Sequence, residues 1–442
     1  MQTYKPKDIT LFSFCETFFR KALRILQEYI GAGGYIPIRT FHEPVPQIDD
    51  NGKIRGFSYV PYEEEDFSYL IFKCDEAIEG LTERKNAYNY ISEKKYLLIG
   101  ENNFAPDVLL YDALKDFLRS RNSLTYQEEG FLDTYIKIED LIFNDQMLFR
   151  SMAKIENFSS SNSLIKFDDM HFVKTYTQEE CKELYHHPSI NIFEHNLPHP
   201  GDFRIEVLKS KEKNNWGKAG IESVDEIKQI LTTLRLFKDS AVGIAFLEMN
   251  EPITWFPFTS KARPLLPPAP IGEICSIEDS ETDELINVWK MIKSINYKKI
   301  PSLEIAIKRF NYAHEHRERE DALIDIFIGL EALYSTEIDE LRFKLALRAA
   351  TFLEASISEH MGKKKDIFDA IYEGYKLRSS VVHGKKVSNA KLWEYRVVKR
   401  YLADSIKQFA HLSQRHANKY ILIKIDECIK SDSKENMLAL FS

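Results

Sequence analysis

Lys261 to Gly272 reads KARPLLPPAPIG, with four prolines in twelve residues. Each proline fixes φ and removes a backbone donor, so the stretch predicts neither a helix nor a central strand. It separates two parts of the 442-residue chain that are patterned differently. Before it, helical and strand-like segments alternate. Leu11 to Ile30, Leu109 to Leu118, Phe131 to Ile155 and Val224 to Lys238 have helical spacing. Phe67 to Lys73, Lys95 to Ile99, Asp202 to Leu208 and Ala241 to Leu247 read as strands, so at least one strand-helix-strand stretch is expected. After it the pattern is almost purely helical, in pieces near 279–295, 302–316, 318–336, 338–358, 364–382, 389–413 and 415–430. The expected fold class is α+β. Residues 1–260 form a mixed α/β region with room for two subdomains, 261–272 a linker, and 273–442 an all-α bundle.

Charge is unevenly spread. The net charge is −8, yet residues 273–442 hold 28 Lys and Arg against 27 Asp and Glu, which leaves −9 for what precedes them. Between Lys376 and Lys424 there are 12 Lys and Arg against only Glu394 and Asp404. Such an island can grip a polyanion even on an acidic chain. Five cysteines lie far apart without a CxxC pair, which argues for a reducing compartment and against a disulfide framework or thiolate metal site. There is no run of 18 apolar residues, and the first residues have no apolar signal region. The expectation is a cytoplasmic protein with no membrane partner.

The basic island opens on Tyr375-Lys376-Leu377-Arg378-Ser379-Ser380-Val381-Val382-His383-Gly384. Ile367, Ile371, Tyr375, Arg378 and Val382 recur every three or four residues and form one helical stripe. Arg378 is therefore carried with the apolar face and needs an anion there. Gly384 fits a left-handed helix stop, which puts His383 where the helix ends. Upstream, Asp321 to Tyr334 is apolar nearly all round, so Asp325 and Glu331 need partners, expected among the arginines of the same domain, Arg348 and Arg378 included. Downstream, Leu392, Tyr395, Val398, Leu402 and Phe409 form a core stripe, while Arg396, Arg400, Lys407 and His411 share another face suited to tracking phosphates. Lys385 and Lys386 extend that charge and complement the preceding helix C-terminus. Read from the residues alone, Arg378 could pair with a core carboxylate and His383 could simply cap its helix.

An arginine, four residues and a histidine, preceded by the Leu330-Glu331-Ala332-Leu333-Tyr334 helix, resemble the HEPN superfamily, most closely its Apea-like branch. The resemblance covers roughly the last 140 residues. It implies an all-α bundle, a homodimer or higher even assembly, and a metal-independent endoribonuclease of an antiphage or toxin-like system. No cofactor is implied. RNA, tRNA among the candidates, would be the substrate. His383 would act as general base or acid, since imidazoles titrate near neutrality. Arg378 would stabilise the phosphorane, with Glu331, Tyr375 and Ser379 in support. Lys385, Lys386, Arg396, Arg400 and Lys407 would hold RNA. The family often carries an amide or acid directly after the arginine, where this chain has Ser379. The alternative is a catalytically silent HEPN scaffold or nucleotide-binding module.

Other signals fit less well. His186, His187, His195 and His199, with Cys181 upstream, are interrupted by Pro188 and Pro198 and match no zinc spacing. A metal-dependent hydrolase built on them is the third hypothesis, and no metal site is expected. His314-Glu315-His316 lies in HEHRERED, which reads as a solvated face. No glycine-rich loop precedes the Gly-Lys pairs, which excludes a P-loop.

Overall fold

The computed structural model describes residues 4–48, 54–94, 98–99, 102–103, 106–185, 197–212, 219–252, 272–316, 318–335, 341–356, 363–388, 391–392, 396–431 and 440. The proline run up to residue 271 and His186 to His195 fall outside them. The fold is α+β: helices dominate, with one five-stranded antiparallel sheet and three two-stranded pairings among the described residues.

Helix α1 (Ile9–Gly31) starts where the Asp8 carboxylate accepts from the Thr10 and Leu11 N–H groups, a side-chain N-cap. Its buried residues Leu11, Cys15, Phe18, Ala22 and Leu26 keep one face of the helix. A long hairpin follows, β1 (Ile38–Ile48) antiparallel to β2 (Ile54–Glu65). Short helices α2 (Leu70–Lys73) and α3 (Asp75–Glu79), then α4 (Thr82–Glu93), the two-residue strands β3 (Leu98–Ile99) and β4 (Asn102–Asn103), α5 (Pro106–Arg121) and α6 (Glu128–Phe143) complete this part. Phe19, Phe117, Phe131 and Tyr135 are fully buried in its aromatic core. The strand expected over Phe67 to Lys73 is instead a 3₁₀ turn running into α2. Asp66 caps it by accepting from the Ser68 N–H, and adjacent Leu70 and Ile71 are both buried, which an alternating strand cannot achieve.

The helix expected over Phe131 to Ile155 stops at Phe143. Strand β5 (Gln146–Glu156) takes over after Asn144, whose extended backbone ends the helix. Beyond it come β6 (Phe158–Ser160), β7 (Leu164–Lys166), β8 (His171–Thr175), helix α7 (Gln178–Tyr185), β9 (Phe203–Glu212), α8 (Ala219–Phe237) and β10 (Gly243–Pro252). The five-stranded sheet has the order β10-β5-β9-β8-β7, antiparallel throughout. β5 lies inside it, between β10 and β9, and Ser151 to Ile155 are buried in succession. A strand covered on both faces loses its alternation, which is why it read as helix. The expected strand-helix-strand stretch is β9-α8-β10, with β5 between the two strands. Within the sheet Arg204 is 0% exposed and fully held. It donates to both Glu180 oxygens and, through Nε at 3.1 Å, to Glu206, and its guanidinium lies 4.5 Å from the Tyr176 ring centre.

Past the proline run β11 (Cys275–Ile277) pairs in parallel with β6, a two-stranded pairing apart from the five-stranded sheet. Helix α9 (Thr282–Lys293) then gives Leu285 and Trp289 to the core under the sheet and Ile292 to the next core. That second core is the helical bundle: α10 (Pro301–Glu315), α11 (Arg319–Tyr334), α12 (Leu341–Ser356), α13 (Lys364–Val382), α14 (Arg396–Leu412) and α15 (Asn418–Ser431). At Gly329 an added Cβ would lie 2.9 Å from Leu402, so the absence of a side chain lets α11 and α14 approach. No helix among the described residues is long and apolar enough to cross a membrane.

Candidate functional site

Helix α13 begins where the Asp366 carboxylate accepts the Lys363 N–H. It buries Ile367, Ile371, Gly374 and Leu377 against the bundle. Tyr375 and Arg378 flank that stripe at half burial, and Val382, expected to continue it, is 51% exposed because the helix is leaving the core. The end is the expected glycine stop. Gly384 has φ +72°, its N–H reaches the Val381 carbonyl at 2.9 Å, and the Lys385 N–H reaches Ser380 at 3.0 Å, a Schellman pair. His383 is the capping residue; its backbone N–H donates to Ser379 and its ring projects exposed.

Glu331, on the last turn of α11, faces Arg378. The two are 3.7 Å apart, with side chains 22% and 21% exposed, so the contact is an ion pair too long for a hydrogen bond. Arg378 Nε and Glu331 Oε1 are buried without hydrogen-bond partners. The guanidinium lies 5.5 Å from the centre of the Tyr375 ring, which packs edge-on against Phe327. Burial, then the Glu331 carboxylate beside it, pushes the Tyr375 hydroxyl up to about 12, so it stays protonated as a donor. Glu331, Tyr375 and Arg378 thus form one cluster. Ser379 borders it at half burial, and its carbonyl serves the cap. Among the described residues the His383 ring makes no hydrogen bond or ion pair, so within one chain it does not touch the cluster.

The expected basic residues divide. Lys385, Lys386, Arg396 and Arg400 are exposed, whereas Lys407 is half-buried and paired with Asp404 at 2.7 Å. Asp325 pairs with an arginine of its own domain, as expected, but that arginine is Arg309 and neither Arg348 nor Arg378. Arg309 and His316 each reach it at 2.7 Å, because α10 lies closer to it than α13 does. Arg348 instead makes a bidentate pair with Asp426 on α15 and donates to the Tyr334 carbonyl.

HEHRERED is not a solvated face at its start. His314 is buried edge-to-face on Phe310, with Nδ1 2.9 Å from the Phe310 carbonyl. Glu315 pairs with Arg235 and His316 with Asp325. The spacing Phe310–His314, one helical turn on a buried stripe, was the available signal. Of the histidines upstream, His199 is described and half-buried; burial lowers its pKa, and the others lie outside the described residues. Among the described residues no group of His, Cys, Asp and Glu is arranged to hold a metal ion. The chain matches no family model, no curated protein and no solved structure.

Proposed function

We propose that the chain is a metal-independent endoribonuclease of an antiphage or toxin-like system, acting as a homodimer or higher even assembly through Arg378 and His383. The observation that carries this reading is the half-satisfied guanidinium. Arg378 is held at the protein boundary by a 3.7 Å contact to Glu331, with Nε lacking an acceptor, one turn before the exposed His383. The contact to Glu331 is too long for a hydrogen bond, so a phosphate can take the guanidinium without breaking one.

In the proposed reaction His383 removes the proton from a ribose 2′-OH. The O2′–P bond forms, Arg378 binds the equatorial oxygens of the phosphorane, and the P–O5′ bond breaks. A second imidazole, supplied by the partner copy, returns a proton to O5′, leaving a 2′,3′-cyclic phosphate. The nucleophile is internal to the RNA, so the step needs no metal, and DNA is not a substrate. Lys385, Lys386 and Arg396, with Arg400 and Lys407, would track the phosphates.

A second reading, a catalytically silent scaffold or nucleotide-binding module, is favoured by the absence of any described partner orienting the His383 ring. RNA end mapping in chelator separates the two. Cleavage should fall about 10²–10⁴-fold in His383→Ala and be lost in Arg378→Ala while both variants stay folded. Cleavage persisting in both, or no cleavage by the parent chain, ends the nuclease reading.

A further inference from the structure

The end of α8 faces α14 across a cavity of about 250 Å³. The two walls come from different cores, the sheet side and the helical bundle. Five cations line it, Arg235, Lys238, Lys399, Arg400 and Lys407, against two carboxylates, Asp239 and Asp404. Asp239 pairs with Lys399 at 2.6 Å and Asp404 Oδ1 with Lys407 at 2.7 Å, while Asp404 Oδ2 is buried without a hydrogen-bond partner. Lys238 leans away to the Glu281 carboxylate at 2.6 Å.

Arg235 is itself paired, with Glu315 at 3.1 Å, so the uncompensated charge sits on Arg400. Arg235 is 2% exposed. Its Nε donates to the Val242 carbonyl, and its Nη1 to Asn311 and Glu315. Among the described residues its Nη2 has no acceptor, and Arg400 has no carboxylate partner. The last carbonyls of α8 oppose an anion with roughly half a charge, less than the whole charge on Arg400. Phe237 and Phe310 supply an apolar wall. Behind Phe310 the buried His314 reports the local potential: burial, then the charges of Lys399 and Arg235, hold its imidazole neutral.

We propose that this cavity binds a diphosphate group, with Arg235 Nη2 and Arg400 as its main donors and Lys399 and Lys407 contributing as their carboxylates yield. Its volume lies below the roughly 300–1,000 Å³ of sites for drug-sized ligands, so it accommodates the phosphates of a small molecule more readily than a whole nucleotide. Because the ligand touches α8 and α14 together, it crosslinks the sheet to the bundle. The site is independent of the nuclease reading, although Arg400 and Lys407 appear in both.

The test is calorimetric titration of the full chain at low salt with inorganic pyrophosphate and, separately, ADP. Saturable binding of one equivalent is expected, weakened at least tenfold in Arg400→Ala and in Lys407→Ala, and weakened by added salt. Equal affinities identify the diphosphate alone as the ligand; tighter ADP assigns the source to a nucleotide stacking on Phe237 or Phe310. Melting temperatures of the variants establish folding, and Arg400, being exposed, should leave it intact. The proposal is overturned if neither compound binds or if both variants bind like the parent. Cleavage plays no part in the readout, so this site and the nuclease can fail separately.

Discussion

Arg204 in the sheet and Arg378 at the end of α13 are both drawn off the surface by apolar neighbours, but they differ in how completely they are satisfied. Arg204 has Glu180 at its fork, Glu206 at Nε and a tyrosine ring against its plane. Arg378 has one carboxylate at 3.7 Å and an Nε with no acceptor. A guanidinium whose donors are all taken can do nothing but hold strands and helix together. One left partly unfilled keeps capacity for an incoming anion. The difference arises from position: Arg204 lies on an interior strand flanked by acids on both sides, whereas Arg378 lies where a helix leaves its core.

The largest expected effect comes from breaking the filled site. Arg204→Met should cost about 3–5 kcal/mol in urea unfolding, because Glu180 loses its bidentate partner and Glu206 stays in the interior with only Lys174 beside it. A loss below about 1 kcal/mol would remove the contrast.

Acid should act on the same site. Burial alone would raise the Glu180 carboxyl, but Arg204, the Thr177 N–H and Lys174 outweigh it and hold it at about 2, against an ordinary 4.5. Its stabilisation is therefore present above 4.5 and is lost as pH falls toward 2. His314 adds an earlier loss. Held well below its ordinary 6.5, it stays neutral when folded while the unfolded imidazole takes a proton, so stability declines as pH drops through 6.5. Urea midpoints measured from neutral to acid pH should trace both declines. Arg204→Met should flatten the lower one and leave the upper one unchanged. The smallest effect belongs to Arg378→Met, which should change stability by about 1 kcal/mol or less. A loss as large as that of Arg204→Met would mean that Arg378 is a structural residue and not a reserve.

Much of the bundle could be read in the chain because helix period, caps and stops are local. The pattern over 364–382 marks α13, and Gly384 stops it as its chemistry requires. What escaped was tertiary. β5 is buried on both faces and carries no alternation to detect. Asp325 needed a cation, but only packing decides that it is Arg309 and His316. The cluster of Glu331, Tyr375 and Arg378 combines residues 47 positions apart or fewer, and two helix patterns sufficed to suggest it. The cavity between α8 and α14 joins Arg235 to Arg400, and no local signal connects segments so distant.

Helix α9 gives Trp289 to one core and Ile292, three residues on, to the other. A single short rod anchored in two interiors cannot tilt at one end alone. Movement of the sheet must swing Ile292 within the bundle, and repacking there must lever Trp289. The core under the sheet and the core of the bundle are thereby geared to each other by one covalent strut.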